Sequence, residues 1–299
     1  MKILVAVDQK PYSSHAVGEV AKLAANTWAN VSLLGVQPKK AVRKSVSDTA
    51  VMLNAADGVI PEALFVLREH FLSYFDRKTC PYAHTFPGQE LFEVAKGVYE
   101  APPASKSANA KKKLMVRLRV GSPDKEILTE ARETESDLIV LGCDQADGCG
   151  WENGAGVPRK VANEAPCSVL IIKKKKDVRR IVCCLDHDRV SQPSLEMINQ
   201  MVTLHGAGLT LVGIAESLSL KSQVEKKMDN VLRYYHARNI DPWIELVEMA
   251  SLDAFIAQES RWGLMALWMG KQSILEKAFP RSKVNKLIKG GDASVLILR

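Results

Sequence analysis

Lys2-Ile-Leu-Val-Ala-Val-Asp8 and Arg180-Ile-Val-Cys-Cys-Leu-Asp186 are two versions of one short apolar run that closes on an aspartate. They stand 178 positions apart, and the same spacing relates Val31-Ser-Leu-Leu-Gly-Val36 to Leu209-Thr-Leu-Val-Gly-Ile214, aligning Gly35 with Gly213. Further on, Asp137-Leu-Ile-Val-Leu-Gly142 matches Leu264-Met-Ala-Leu-Trp-Met-Gly270, with the two glycines 128 apart. Ser168-Val-Leu-Ile-Ile172 matches Ser294-Val-Leu-Ile-Leu298 at a spacing of 126. Four segments kept in order mark an internal repeat. The drop in spacing after the second segment means that the first half carries about 50 extra residues within 37–113.

Each matched run is rich in Val, Ile and Leu and lacks polar alternation, as a parallel strand buried on both faces requires. Helical spacing lies between the runs. Ala16, Val20, Leu23 and Ala24 follow Ser13 and Ser14, either of which can cap. Leu195, Ile198, Met201 and Val202 do the same in the second half. Ile127, Leu128 and Ala131 follow Ser122-Pro123, with proline at a favourable first-turn position. Strands alternating with helices predict an α/β chain of two Rossmann-like domains with helices on both faces of each sheet. The domains are expected at 1–175 and 176–299, joined by the basic stretch Lys173–Arg180.

The extra segment reads as an amphipathic helix from Pro61 to Lys78, with Leu64, Leu67, Phe71, Leu72 and Phe75 on its apolar face. Gln89 to Val98 reads as a second helix and Ala101 to Lys113 as a loop. The segment begins at the carboxyl edge of the sheet, where ligands of open α/β sheets bind. It would serve as a lid there, as an ordinary packed insertion, or as a dimer contact.

Composition excludes several classes. Apolar residues are 46% and charged residues 25% of 299, which is globular rather than disordered. No apolar run approaches the ~20 residues of a membrane span, and the run after Lys2 is too short for a signal peptide. Six cysteines are too few for a disulfide scaffold, so reduced thiols and a cytoplasmic protein are expected. The net charge of +7 is concentrated at Lys111–Lys113 and Lys173–Arg180. The Lys173–Lys176 run follows a strand directly and no aromatic residues interleave with it, so a solvated linker suits it better than a nucleic-acid face.

The two aspartates carry the strongest chemical signal. Asp8 and Asp186 each end a first strand beside the point where strand order reverses, where a carboxylate can accept from an adenine amino group or a ribose hydroxyl. The other reading is a turn cap that binds the backbone amides after it. The loop from Cys143 to Gly156 holds Gly148, Gly150, Gly154 and Gly156 and leads into a helix, an arrangement that suits phosphate. Asp144, Asp147 and Glu152 in the same loop would repel phosphate unless turned away or holding a metal. No Lys-Ser or Lys-Thr follows a glycine there, which excludes the common P-loop.

On Ile3-Leu-Val-Ala-Val-Asp8, Val120-Gly-Ser-Pro123, Asp137-Leu-Ile-Val-Leu-Gly142 and Ala165-Pro-Cys-Ser-Val-Leu-Ile-Ile172, the chain resembles the universal stress protein family in its tandem form. The resemblance implies a five-stranded parallel sheet of order 3-2-1-4-5 in each domain. It also implies pairing through last strands, here 168–173 with 294–299, as an internal pseudo-dimer, with a homodimer of the whole chain as a further arrangement. It implies a non-catalytic stress-response protein that binds an adenine nucleotide, ATP or AMP, with Mg²⁺ held by Asp144 or Asp147. The ligand positions carry over to Ala6, Val7, Asp8, Val36, Leu141, Gly142, Ala155, Gly156 and Val157. In the second half they are Asp186, Ile214, Gly270 and Ser282. The family's phosphate pattern is Gly, two residues, Gly, nine residues, then Gly and Ser or Thr. Here Gln145, Ala155 and Gly156 replace its second Gly, third Gly and hydroxyl residue, while Ser273 and the Arg281-Ser282 pair mark the shorter second loop.

Two alternatives stand beside this reading: a partner-binding scaffold that has lost its nucleotide, and a hydrolase or ligase of the related adenine-nucleotide group. Enzymes of the latter group usually carry a Ser-Gly-Gly loop after the first strand, which Gln9–Ser13 and His187–Ser191 lack. Cys80 with His84 and His70, Cys143 with Cys149, and Asp186-His187-Asp188 are the remaining constellations, and each is read as structural rather than as a metal or redox site. Trp243, Trp262 and Trp268 are expected in the core.

Overall fold

The computed structural model describes residues 1–39, 45–47, 50–54, 59–83, 88–103, 111–144, 151, 156–173, 177–185, 190–215, 221–259, 263–269, 280–290 and 292–299. The chain divides into two compact units, Met1–Cys167 and Ser168–Arg299.

The first unit runs β1 (Lys2–Val7), α1 (Pro11–Asn26), β2 (Asn30–Gln37), β3 (Ser45–Ser47), β4 (Ala50–Asn54), α2 (Val59–Leu72), β5 (Glu90–Ala95), β6 (Val98–Glu100), β7 (Leu114–Val120), α3 (Pro123–Glu133), β8 (Leu138–Gly142), α4 (Val157–Glu164). Its central strands lie in the order β7-β2-β1-β8 and are parallel. Ile3 to Val7 and Leu138 to Leu141 are all at most 2% exposed. These strands are covered on both faces, which is why their sequences are unbroken apolar runs.

The second unit runs β9 (Ser168–Ile172), β10 (Arg180–Leu185), α5 (Gln192–His205), β11 (Gly208–Ala215), α6 (Lys221–His236), β12 (Trp243–Glu248), α7 (Leu252–Glu259), β13 (Leu264–Trp268), α8 (Arg281–Gly290), β14 (Ser294–Leu298). Its parallel strands follow β12-β11-β10-β13-β14, the order 3-2-1-4-5. β9 pairs antiparallel with β14, with Leu170 opposite Leu296. The last runs of the two repeats are therefore neighbours, as the resemblance implies.

The matched glycines of the repeat have one physical cause. A Cβ on Gly35 would lie 2.6 Å from Ile60 and 2.9 Å from Leu64 of α2. A Cβ on Gly213 would lie 2.6 Å from Met228 and 2.8 Å from Val224 of α6. Each second strand thus keeps a glycine so that its crossover helix can pack against the sheet. α2 is accordingly the counterpart of α6. The surplus of the first half is the run of antiparallel strands β3 to β6, which extends the sheet outward from β7.

Several local expectations are corrected. Gln89–Val98 is not a helix: β5 and β6 form a hairpin turning at Gly97, whose φ of +72° lies in the left-handed region. The helix expected to Lys78 ends at Leu72, and Phe71 in its last turn and Phe75 beyond it both pack against Tyr82, whose hydroxyl donates to the Ala29 carbonyl at 2.7 Å. Ser13 does not cap α1. The helix starts on Pro11, and the Ser13 hydroxyl turns back to Asp8. Lys173 is not a solvated linker residue: it is 2% exposed, and its Nζ donates to the Leu287 carbonyl at 3.1 Å. Trp268 is buried as expected, Trp262 lies outside the described residues, and Trp243 is 78% exposed. It sits on β12, whose outer side pairs with no strand among the described residues.

One charged cluster ties the extension to the core. Arg117 and Arg119 of β7 both bind Glu130 of α3, at 2.8 and 2.7 Å, and the Glu130 side chain is fully buried. Arg117 also reaches Glu100 of β6 at 2.7 Å, and Arg119 reaches Glu126 and Glu133.

Candidate functional site

The carboxyl ends of β1, β2 and β8 bring most of the expected first-half residues together. Ala6 lies beside Leu141, and Val7 lies beside Gly35, which precedes Val36. Ala6, Val7, Val36 and Leu141 are all buried. Gly142 closes β8 because nothing larger fits: a Cβ there would lie 2.4 Å from the Tyr12 carbonyl oxygen in the first turn of α1. Gly156 takes a φ of +78° just before α4 and delivers Val157 to the start of the helix. Ala155, Asp186 and Gly270 lie outside the described residues, as do Asp147, Gln145, His84, Cys149, His187, Asp188 and Ser273. Ile214 is buried in β11, and Ser282 is exposed in the first turn of α8.

Asp8 is 3% exposed and carries several local bonds. The Lys10 amide donates to its Oδ1 at 3.0 Å, and the Ser13 hydroxyl donates to the same oxygen at 2.8 Å. The Tyr12 hydroxyl donates to Oδ2, while the Asp8 amide donates to Ser13 Oγ at 3.0 Å. Asp8 therefore organises the loop between β1 and α1. The ring of Tyr12 stacks on Trp151, with centroids 6.4 Å apart and planes 24° from parallel. Trp151 Nε1 donates to the Gly142 carbonyl at 3.0 Å. Tyr12, Ser13 and Trp151 were not expected from the sequence. The signals were present, because Tyr12 and Ser13 lie within one helical turn after Asp8 and Trp151 is the single aromatic residue of the glycine-rich loop.

A cavity of about 520 Å³ opens beside this loop. Asp8, Lys10 and Ser14 line one side, and Glu62, Val66 and His70 of α2 line the other. Its lining is mixed: the charged residues Lys10 and Glu62 occur together with the apolar residues Val59, Ala63 and Leu67. That mixture suits a flat, partly polar group with hydrogen-bonding edges. Of the residues expected from the sequence, Asp8 lines the cavity, and Gly142 and Val157 do not.

No cluster of three or more metal-ligating side chains occurs among the described residues. Asp144 is half-buried at the start of the loop after β8. Cys80 is buried, and its sulfur accepts from the Tyr82 amide, while burial pushes its thiol pKa up. Cys183 and Cys184 are fully buried in β10 and are shifted upward by the same cause. None of these is a poised thiolate. Cys143 is disulfide-bonded, against the expectation of reduced thiols throughout, whereas Cys80, Cys167, Cys183 and Cys184 are not joined in disulfides.

A comparison with curated proteins gives no match. Among solved structures, a universal stress protein from Archaeoglobus fulgidus DSM 4304 aligns over 100% of this chain and 96% of its own, with 13% identity and a TM-score of 0.55. A universal stress protein from Pseudomonas aeruginosa UCBPP-PA14 aligns over 99% of this chain and 92% of its own, with 15% identity and a TM-score of 0.57. The cytoplasmic domain of a prokaryotic cation chloride cotransporter aligns over 99% and 94%, with 10% identity and a TM-score of 0.51. At such identities the likeness is one of fold. The model of the universal stress protein family matches residues 1–173, which is more than half of the sequence and includes every strand around Asp8. By that match, and by the parallel sheet that supports it, the chain belongs to the universal stress protein family.

Proposed function

We propose that the chain is a non-catalytic stress-response protein that binds an adenine nucleotide, ATP or AMP, at the carboxyl edge of its first repeat. The observation that carries this reading is the 520 Å³ cavity between the β1–α1 loop and α2, with Asp8 and Lys10 on its wall. The cavity lies where open α/β sheets receive ligands. Its apolar and polar lining would take the base and ribose, and Lys10 would attract the phosphate charge. Phosphates would extend toward Gly156 and the first-turn amides of α4, a position with a helix N-terminus behind it. Mg²⁺ would accompany a triphosphate, with Asp144 as the acidic side chain on that path. In the second repeat, Ile214 and Ser282 would mark the corresponding positions, with Asp186 and Gly270 outside the described residues. The repeats 1–175 and 176–299 are the proposed domains, and the pairing of β9 with β14 supports an internal pseudo-dimer built on last strands. No helix among the described residues is long and apolar enough to cross a membrane. A cytoplasmic site of action is part of the proposal.

The test is native mass spectrometry of protein purified without added nucleotide, with the denatured supernatant analysed for small molecules. Release of AMP or ATP supports the reading, and Lys10→Ala should then reduce affinity at least tenfold. No released ligand, together with no thermal shift in AMP or in ATP with Mg²⁺, overturns it.

A second reading is favoured by the local bonding of Asp8. With Tyr12, Ser13 and the Lys10 amide on its carboxylate and Trp151 against Gly142, the edge is internally satisfied. A partner-binding scaffold without nucleotide fits that observation.

A further inference from the structure

The two repeats treat their third strand differently. In the first, the outer edge of β7 is covered by β6, antiparallel, with Tyr99 opposite Leu118 and Glu100 opposite Arg117. The Arg117 guanidinium binds the Glu100 carboxylate at 2.7 Å. Under this cover Val116 is 1% exposed and Leu118 is fully buried. In the second, β12 stands at the end of its sheet, and no strand among the described residues pairs with its outer edge. There Trp243 is 78% and Ile244 38% exposed.

Register makes the two strands comparable residue by residue. Leu118 lies beside Gly35, and Leu246 lies beside Gly213. Ile244, Glu245 and Leu246 therefore take the places of Val116, Arg117 and Leu118. The backbone correspondence follows. Ala101 N donates to Val116 O, and Val120 N donates to Gly97 O, so the outward groups of β7 belong to alternate residues from Val116 to Val120. On β12 the same alternation points the backbone of Ile244, Leu246 and Glu248 outward. The charge is reversed at the decisive position: β7 offers Arg117 to a covering glutamate, and β12 offers Glu245 to whatever covers it. Asp241 and Glu248 add acidic charge at either end of the strand.

We propose that β12 is a docking edge for an extended, basic segment of a partner protein. The segment adds antiparallel to β12 as β6 adds to β7, with a Lys or Arg opposite Glu245. Main-chain bonds to Ile244, Leu246 and Glu248 hold it, and the charge pair selects it. Trp243 lies on the same strand face as Glu245, two residues away, and offers its ring to the same cation. This proposal is independent of nucleotide binding.

The experiment uses the full chain and two fluorescent ten-residue peptides copied from residues 95–104, one native and one carrying Glu100→Lys, read by anisotropy. The Lys peptide is expected to bind at least tenfold tighter than the Glu peptide. Glu245→Arg is expected to reverse that preference. Ile244→Pro removes an outward N–H at a position where an edge strand tolerates proline. It should weaken both peptides at least tenfold while the melting curve keeps its shape. Equal binding of the two peptides, or binding of neither, overturns the proposal. So does sedimentation showing a dimer of the chain that Ile244→Pro dissociates and the Lys peptide leaves intact, because the occupant is then a second copy.

Discussion

The indole nitrogen of Trp151 donates to the carbonyl of Gly142 at 3.0 Å, and the same ring stacks on Tyr12, whose hydroxyl bonds Asp8. One aromatic side chain thus links the end of β8 to the carboxylate at the end of β1. In a nucleotide-binding reading it stands on the phosphate side of the edge, while the open cavity lies on the α2 side.

Trp151→Ala should lower stability by about 3 kcal/mol, as expected when a buried tryptophan is truncated. If the indole limits the phosphate side, the variant should also bind ATP more tightly relative to AMP. Urea denaturation and calorimetric titration with both nucleotides check the two parts. An unchanged ATP-to-AMP ratio means that the ring is only structural.

Gly142→Ala should cost more than Gly35→Ala. At Gly142 the new methyl group meets the Tyr12 backbone, which cannot move without shifting α1. At Gly35 it meets the flexible side chains of Ile60 and Leu64. Overpacking against side chains costs about 1–3 kcal/mol, and the backbone clash should exceed that range. Chemical denaturation of both variants decides the order.

Glu130→Gln should destabilise the first unit by about 3 kcal/mol, since it leaves Arg117 and Arg119 without their shared buried carboxylate. Glu133→Gln removes a partner of Arg119 that is 56% exposed, and should cost under about 1 kcal/mol. Similar losses in the two variants would show that burial does not govern this cluster.

Lys173 supplies a pH dependence. Burial pulls its pKa down to about 8, with the charge of Asp292 opposing the shift. The unfolded chain holds that proton up to about pH 10.4, so it binds more protons than the folded chain between the two values. Stability therefore rises with pH across that window, and the full cost of the buried ammonium is present below about pH 8. The wild type should gain about 2 kcal/mol relative to Lys173→Met between pH 7 and pH 10. Melting both proteins at each pH measures the change, and a flat difference refutes the assignment.

The repeat, the parallel strands and the family were legible in the sequence because buried strands must be apolar without interruption, and their Val, Ile and Leu runs recur in order at 2–8 and 180–186 and beyond. The aligned Gly35 and Gly213 were visible as letters, but their cause, a crossover helix lying on each, required the packing. At 89–98 a short run does not by its own periodicity tell helix from strand, and the pairing of β5 with β6 and of β6 with β7 decides for the hairpin. Trp243 falls in a strand pattern, which by itself points to the core. Whether a strand has a neighbour on its outer side is a property of the sheet, and there the tertiary structure placed it in solvent. At the site, Asp8 and Gly142 were found from the ends of their strands, which local sequence marks. Glu62 and His70 lie more than fifty positions after Asp8, and only folding brings α2 to that edge, because side-chain contacts across such distances in sequence leave no periodic trace.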